Sequence, residues 1–130
     1  HGLIRTDFPG GWAGDAINAF TGKGLGAKAR RMQEFLKTLL LFRKSEAAIH
    51  EGATKHFAPE NGIYVLVRYK GNKKVFLILN KNEQSVSLPM HRFRETDILG
   101  ATFKDVITGK EMVIGDELIL KNKGVLLLSN

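Results

Sequence analysis

Cysteine is absent from the 130 residues. That excludes a disulfide framework and any thiolate metal site, and leaves the compartment open. No apolar run approaches the roughly 20 residues needed to cross a bilayer, so no membrane partner is expected. The four histidines, His1, His50, His56 and His91, form no pair at helical metal-binding spacing and meet no carboxylate cluster. No metal and no cofactor are expected. None of the serines lies in a nucleophile elbow. Gly22-Lys23-Gly24-Leu25-Gly26 has the look of a phosphate loop, but it lacks a preceding strand and a terminal Gly-Lys-Ser/Thr.

What is present is an ordinary globular content, 43% hydrophobic, with a net charge of +7. This length and composition suit one domain with an additional N-terminal segment. The charge permits a nucleic-acid partner. However, the basic residues fall into small scattered clusters at Lys28–Arg31, Arg43-Lys44 and Lys70–Lys74. Only Tyr69, beside the last of these, supplies a neighbouring aromatic, whereas a single-strand groove interleaves the two along its length. No nucleic-acid partner is expected.

The chain is organised around Ile63–Asn80. Ile63–Tyr69 and Val75–Asn80 are β-branched and aromatic runs, separated by the polar stretch Lys70-Gly71-Asn72-Lys73-Lys74. This predicts a hairpin. Neither strand alternates cleanly. Ile63, Val65 and Val67 share one face with Tyr69, yet Tyr64 and Leu66 are also apolar, and Val75, Leu77 and Leu79 oppose Phe76 and Ile78. Strands apolar on both faces are covered on both, so the hairpin is expected at the centre of a sheet.

Around it, Ala27–Lys44 carries Met32, Phe35, Leu36, Leu39 and Leu40 at three- and four-residue spacing, which predicts an amphipathic helix. Leu41 and Phe42 widen its apolar face beyond what one sheet would cover. A strand is expected over Ala53–Ala58, followed by a turn at Pro59–Gly62. Further short strands are expected at Gln84–Leu88, Ala101–Ile107, Glu111–Ile114, Glu117–Leu120 and Val125–Leu128, with a helical turn near Arg92. About eight short strands with no helix between them predict a mainly β fold, an antiparallel, Greek-key-like β-sandwich. One amphipathic helix and an irregular N-terminal segment precede it.

That N-terminal segment is glycine-rich, yet it holds Phe8, Trp12, Ile17 and Phe20. Loops that carry large apolar side chains pack on a scaffold, and little here offers one. Asp7 and Asp15 flank Trp12. Carboxylates beside an aromatic ring are a common way to hold a sugar; the alternative is a capping Asp and a packed Trp.

His1–Trp12, with its Asp7-Phe8-Pro9-Gly10-Gly11-Trp12 core, and Asp15 and Asn18-Ala19-Phe20 behind it, resembles the α-amylase superfamily, above all the neopullulanase and cyclomaltodextrinase group. The resemblance continues through Leu39–Arg43, Ala48–Gly52, Tyr64–Tyr69, Phe76–Asn82 and Val106–Gly109. It implies that residues 1–46 are the end of a catalytic barrel (a loop and the last helix) and that 47–130 form a C-terminal β-sandwich domain. It further implies an enzyme that cleaves α-glucosidic bonds with retention, through a carboxylate nucleophile and a second carboxyl acting as acid and base. In such enzymes those carboxylates precede the segment that His1 begins. The chain is therefore expected to be a piece of a longer enzyme, to hold no catalytic residue and to be inactive alone. Its expected partners are its own barrel and, in the parent, an α-glucan. Arg5, Asp7 and Trp12 are implied as substrate-binding residues of the intact enzyme. The resemblance fits either a periplasmic or a cytoplasmic location and leaves the oligomeric state open. Independent starch or maltooligosaccharide binding by the β-domain, through Tyr64, Tyr69 or Phe57, is the alternative, with a basic nucleic-acid-binding β-barrel a more distant one.

Overall fold

In the computed structural model, which describes residues 8–130, the chain divides into two compact units, His1–Leu40 and Leu41–Asn130. The division falls inside helix α1 (Ala27–Ser45), which matches the expected helix to within a residue. None of its residues is buried, and Met32, Phe35, Leu36, Leu40 and Leu41 are exposed.

A single helical turn, α2 (Ala47–His50), follows; Glu46 caps it by accepting from the Ala48 amide at 3.1 Å. Eight strands come next: β1 (Ala53–Glu60), β2 (Ile63–Lys70), β3 (Lys73–Asn80), β4 (Val86–Pro89), β5 (Thr102–Asp105), β6 (Glu111–Val113), β7 (Glu117–Leu120) and β8 (Val125–Ser129). A 3₁₀ helix, Met90–Thr96, occupies the place of the expected helical turn near Arg92. All pairings are antiparallel. One sheet runs β1-β2-β3-β8-β5-β6 and the other is the pair β4-β7, giving an open, unequal sandwich.

The central hairpin is as predicted: β2 and β3 pair in continuous register from Ile63↔Asn80 to Lys70↔Lys73, and both are interior strands. The loop is shorter than expected, only Gly71-Asn72, with Gly71 at φ +56°. Positive φ at the first central residue suits a glycine. The turn before β2 is also tighter than the sequence suggested. Pro59 lies within β1, where a bulge between Phe57 and Glu60 accommodates it, and Asn61-Gly62 alone reverses the chain.

The inner face of the large sheet contributes Val65, Val67, Phe76, Ile78, Phe103 and Leu128 to the core. Leu88 and Leu120 from the small sheet, Met90 and Phe93 from the 3₁₀ helix, and Ile98 and Ile114 close it. Phe76 meets Phe103 edge to face at 5.3 Å, and Phe57 meets Phe93 likewise at 4.8 Å.

Candidate functional site

Two regions carry features that the core does not need. The first is the N-terminal loop. Arg5 and Asp7 lie outside the described residues. From Phe8 onward the loop is built on hydrogen bonds of its own. The Asp15 carboxylate accepts from the Trp12 amide at 3.0 Å, and the Asn18 side chain accepts from the amides of Phe20 and Thr21, each at 3.0 Å. The Ala19 amide donates to Pro9 O, and Asn18 bridges to Lys23. From α1, Gln33 donates to the carbonyls of Ala19 and Phe20, and Arg30 to that of Gly22. Gly10 sits at φ +105°, and a Cβ there would come 2.7 Å from the Asn18 Cα, so the Pro-Gly-Gly sequence is what lets the two passes touch. Asp15 thus takes the capping role weighed for it in the sequence. The Trp12 ring stands 83% exposed, and Phe8 and Phe20 lean on each other at 4.9 Å while both remain exposed.

The second region is the outer face of the large sheet. Register places Leu66, Leu77 and Leu127 in one row across β2, β3 and β8, and Tyr64, Leu79 and Val125 in the next. These side chains are half-buried or exposed, whereas their inner-face neighbours, Leu126 apart, are buried. α2 covers only one end of this face, where Val75 and Ala48 are buried. The Arg68 guanidinium holds α2 there, donating to Ala48 O at 3.2 Å and to Ile49 O at 2.7 Å. Beyond it an open apolar hollow of about 470 Å³ runs over Leu66, Leu77 and Leu127 to Ile49 and Arg43. At the hairpin end of the same region Lys70 pairs with Glu51. A hydrogen bond from the Lys70 ammonium, reinforced by its charge, holds the Glu51 carboxyl below its ordinary range. Such a pair stabilises above that ordinary range and loses its effect as pH falls through the lowered value. Glu51 is exposed, so the effect is small.

Among the described residues no three His, Asp or Glu side chains gather as a metal site. Among the same residues no helix is long and apolar enough to cross a membrane.

The profile of the cyclo-malto-dextrinase C-terminal domain family matches residues 54–129, β1 through β8. The chain belongs to that family. Residues 54–129 are thus a C-terminal domain of the cyclo-malto-dextrinase type, in line with the resemblance to the cyclomaltodextrinase group. Solved structures agree on the fold. AmyP in complex with maltose is 13% identical at a TM-score of 0.68, over 83% of this chain and 22% of its own. The cyclic α-maltosyl-(1→6)-maltose hydrolase of Arthrobacter globiformis is 17% identical at 0.57, over 84% and 22%. An Anoxybacillus α-amylase is 13% identical at 0.60, over 92% and 26%. The chain thus spans about a quarter of the length of these enzymes.

Within the cyclo-malto-dextrinase C-terminal domain, some of the residues that carried the resemblance are architectural. Asn80 and Asn82 bind neighbouring turns together, and Asp105 organises the turn Val106–Gly109. Its carboxylate accepts from the Ile107 amide at 3.2 Å and the Thr108 hydroxyl at 2.6 Å. Sequence reasoning saw Asn80 and Asn82 as part of a pattern without a role, and did not single out Asp105, just ahead of the Val106–Gly109 stretch. Arg68 and Lys74 it missed as organising residues, because their partners lie about 20 residues away in the chain.

Proposed function

We propose that this chain is the C-terminal part of a neopullulanase- or cyclomaltodextrinase-like enzyme that hydrolyses α-glucosidic bonds with retention. In this reading residues 1–46 are the end of the catalytic barrel, and 47–130 form a non-catalytic domain that braces it. The observation that carries the reading is the only partly covered apolar face of the large sheet, within a domain of the cyclo-malto-dextrinase C-terminal family. A face of Leu66, Leu77 and Leu127 left in water forfeits the transfer energy of several methylenes per side chain. A rigid neighbouring body recovers it. The exposed apolar residues of α1 and of the Trp12 loop ask for the same cover. The two catalytic carboxyl groups of a retaining mechanism belong, on this reading, to barrel strands outside the chain. The chain alone is then inactive toward pullulan and cyclodextrins.

The test is the double substitution Leu77→Glu with Leu127→Glu, made both in the 130-residue chain and in the intact parent enzyme. Carboxylates trapped under a docked barrel lose their hydration, whereas on a free face they keep it. The melting temperature of the parent should fall by about 5 °C more than that of the chain. Equal losses would mean that nothing docks there.

Arg5, Asp7 and Trp12 are assigned to the sugar cleft of the parent, Arg5 and Asp7 contacting a glucose hydroxyl and Trp12 forming a wall. A charged hydrogen bond is worth about 1.5–3 kcal/mol. Arg5→Ala in the parent should therefore raise KM by roughly tenfold or more. Unchanged kinetics would remove Arg5 from the site.

A nucleic-acid partner is disfavoured. Each lysine of the β2–β3 hairpin end faces a carboxylate: Lys70 on Glu51, Lys73 on Glu46 at 3.5 Å and Lys74 on Asp97 at 3.1 Å.

A further inference from the structure

At one end of the sandwich the inner face of the large sheet emerges into solvent. The β2–β3 turn lies on one side and the end of the 3₁₀ helix on the other. Between them is a groove of about 260 Å³. Val67 forms part of its floor and the Tyr69 ring, 38% exposed, part of its wall. Two ion pairs flank it. Lys55 meets Glu95 at 3.2 Å, and Lys74 meets Asp97 at 3.1 Å while also donating to Thr96 O at 2.7 Å. Asp97 sits in the left-handed region at φ +53°, and its side chain is 86% exposed. Asn72, in the hairpin turn, adds an amide to the rim.

The chemistry of this lining selects a ligand class. Its two ammonium groups and two carboxylates cancel, so it offers no net attraction to a phosphate or a polycation. Its apolar surface is too small for a lipid or an apolar peptide. It does place paired donors and acceptors around one aromatic ring. A neutral molecule with vicinal hydroxyls and one apolar face can use all of it. The ring stacks against Tyr69, and adjacent hydroxyls accept from an ammonium and donate to its partner carboxylate. The volume lies just below the usual range for drug-sized ligands, which suits a single sugar ring or the end of a chain.

We propose that this groove is a glucan-binding subsite on the β-domain, with Tyr69 as the stacking platform and the Lys55–Glu95 and Lys74–Asp97 pairs as hydroxyl partners. That the glucan is α-linked rests on the function proposed above. Tyr69 belongs to the inner face, by alternation with Val65 and Val67, whereas the docking row Leu66, Leu77 and Leu127 lies on the outer face. The same domain can therefore hold a barrel and a sugar at once.

The experiment is an amide NMR titration of the labelled 130-residue chain with maltoheptaose, and with cellohexaose as the β-linked comparison. Saturable shifts are expected at Tyr69, Asn72 and Glu95–Asp97. Tyr69→Ala should weaken binding about tenfold, and Tyr69→Phe by less than about threefold, because the ring does the stacking. Unchanged dispersion of the remaining amides verifies that both variants fold. Absence of saturable shifts, saturable shifts confined elsewhere, or full affinity in Tyr69→Ala would overturn the site. Equal affinity for cellohexaose would overturn the α-glucan assignment. Neither result bears on barrel docking, which rests on the outer-face substitutions.

Discussion

Phe76→Ala should cost about 3–5 kcal/mol, the largest loss expected from any single truncation in this chain. Phe76 is fully buried in β3, an interior strand, with Val67 and Leu128 as its cross-strand partners. Its ring also presents itself edge-on to Phe103 at 5.3 Å, a contact worth up to about 1.5 kcal/mol beyond its area. Removing it opens a cavity on the inner face between two paired strands, β2 and β8, whose ladders limit collapse. Stability of a domain this size lies in the range of about 5–15 kcal/mol, so the variant should be close to unfolding at body temperature. Leu77→Ala, the next residue but on the outer face, should cost less than half as much, because Leu77 is only half-buried. Urea midpoints of the two variants measure the contrast. Equal losses, or a Phe76→Ala loss below about 1 kcal/mol, would contradict this packing.

Asn80 gives the second large effect. It is buried at the end of β3, and its amide is fully used. The nitrogen donates to Gln84 O at 3.2 Å and Lys121 O at 2.8 Å; the oxygen accepts from the amide and the side chain of Asn82 at 3.0 and 2.8 Å. Asn82 in turn donates to Asn61 O at 2.8 Å. Three connections, β1–β2, β3–β4 and β7–β8, are thus tied at one point. Gly62 stands against this knot at φ +75°, where a Cβ would fall 2.6 Å from the Asn82 oxygen. Asn80→Ala removes a donor from Gln84 O and one from Lys121 O, which keeps the Gly124 amide, and takes away the oxygen that accepts from Asn82; it should cost roughly 2–4 kcal/mol. Asn80→Asp should be worse at neutral pH, since it sets a charge against those same carbonyls. Burial and the missing donors raise the folded-state pKa of the introduced carboxyl above its unfolded value. The neutral form then binds its proton more tightly when folded, so the deficit should shrink as pH falls below about 5. Thermal melts of the two variants from pH 7 to pH 4 test this. A deficit for Asn80→Asp that does not shrink on acidification would show that the side chain is not buried among acceptors.

The legible part of the fold lay in short-range patterns. The β-branched runs on either side of Gly71-Asn72 were set to pair with each other, and the hairpin lies where they put it. The apolar residues on both faces of β2 and β3 implied cover on both sides. The inner side is the core, and the outer side is the half-covered face assigned here to a barrel. The spacing of Met32, Phe35 and Leu36 identified α1. Within the Pro-Gly-Gly-Trp stretch that carried the family resemblance, Gly10 meets a steric demand at Asn18 that a residue with a Cβ cannot meet.

What only the tertiary structure decided is the pairing of distant strands and the meaning of isolated polar residues. β6 and β7 are separated by Ile114, Gly115 and Asp116 alone, yet they join different sheets, and β8 inserts between β3 and β5. Period-two alternation tells which side chains share a face, but it is blind to the neighbour across the ladder. That choice depends on how all the apolar faces close one core together. The same holds for Asn80, Arg68 and the Tyr69 groove. By itself the sequence determined the family, the strand-rich class and the central hairpin. It could not assign the polar work of these residues, because partners such as Ala48 for Arg68, Thr96 for Lys74 and Lys121 for Asn80 are brought to them by folding from 20 or more positions away.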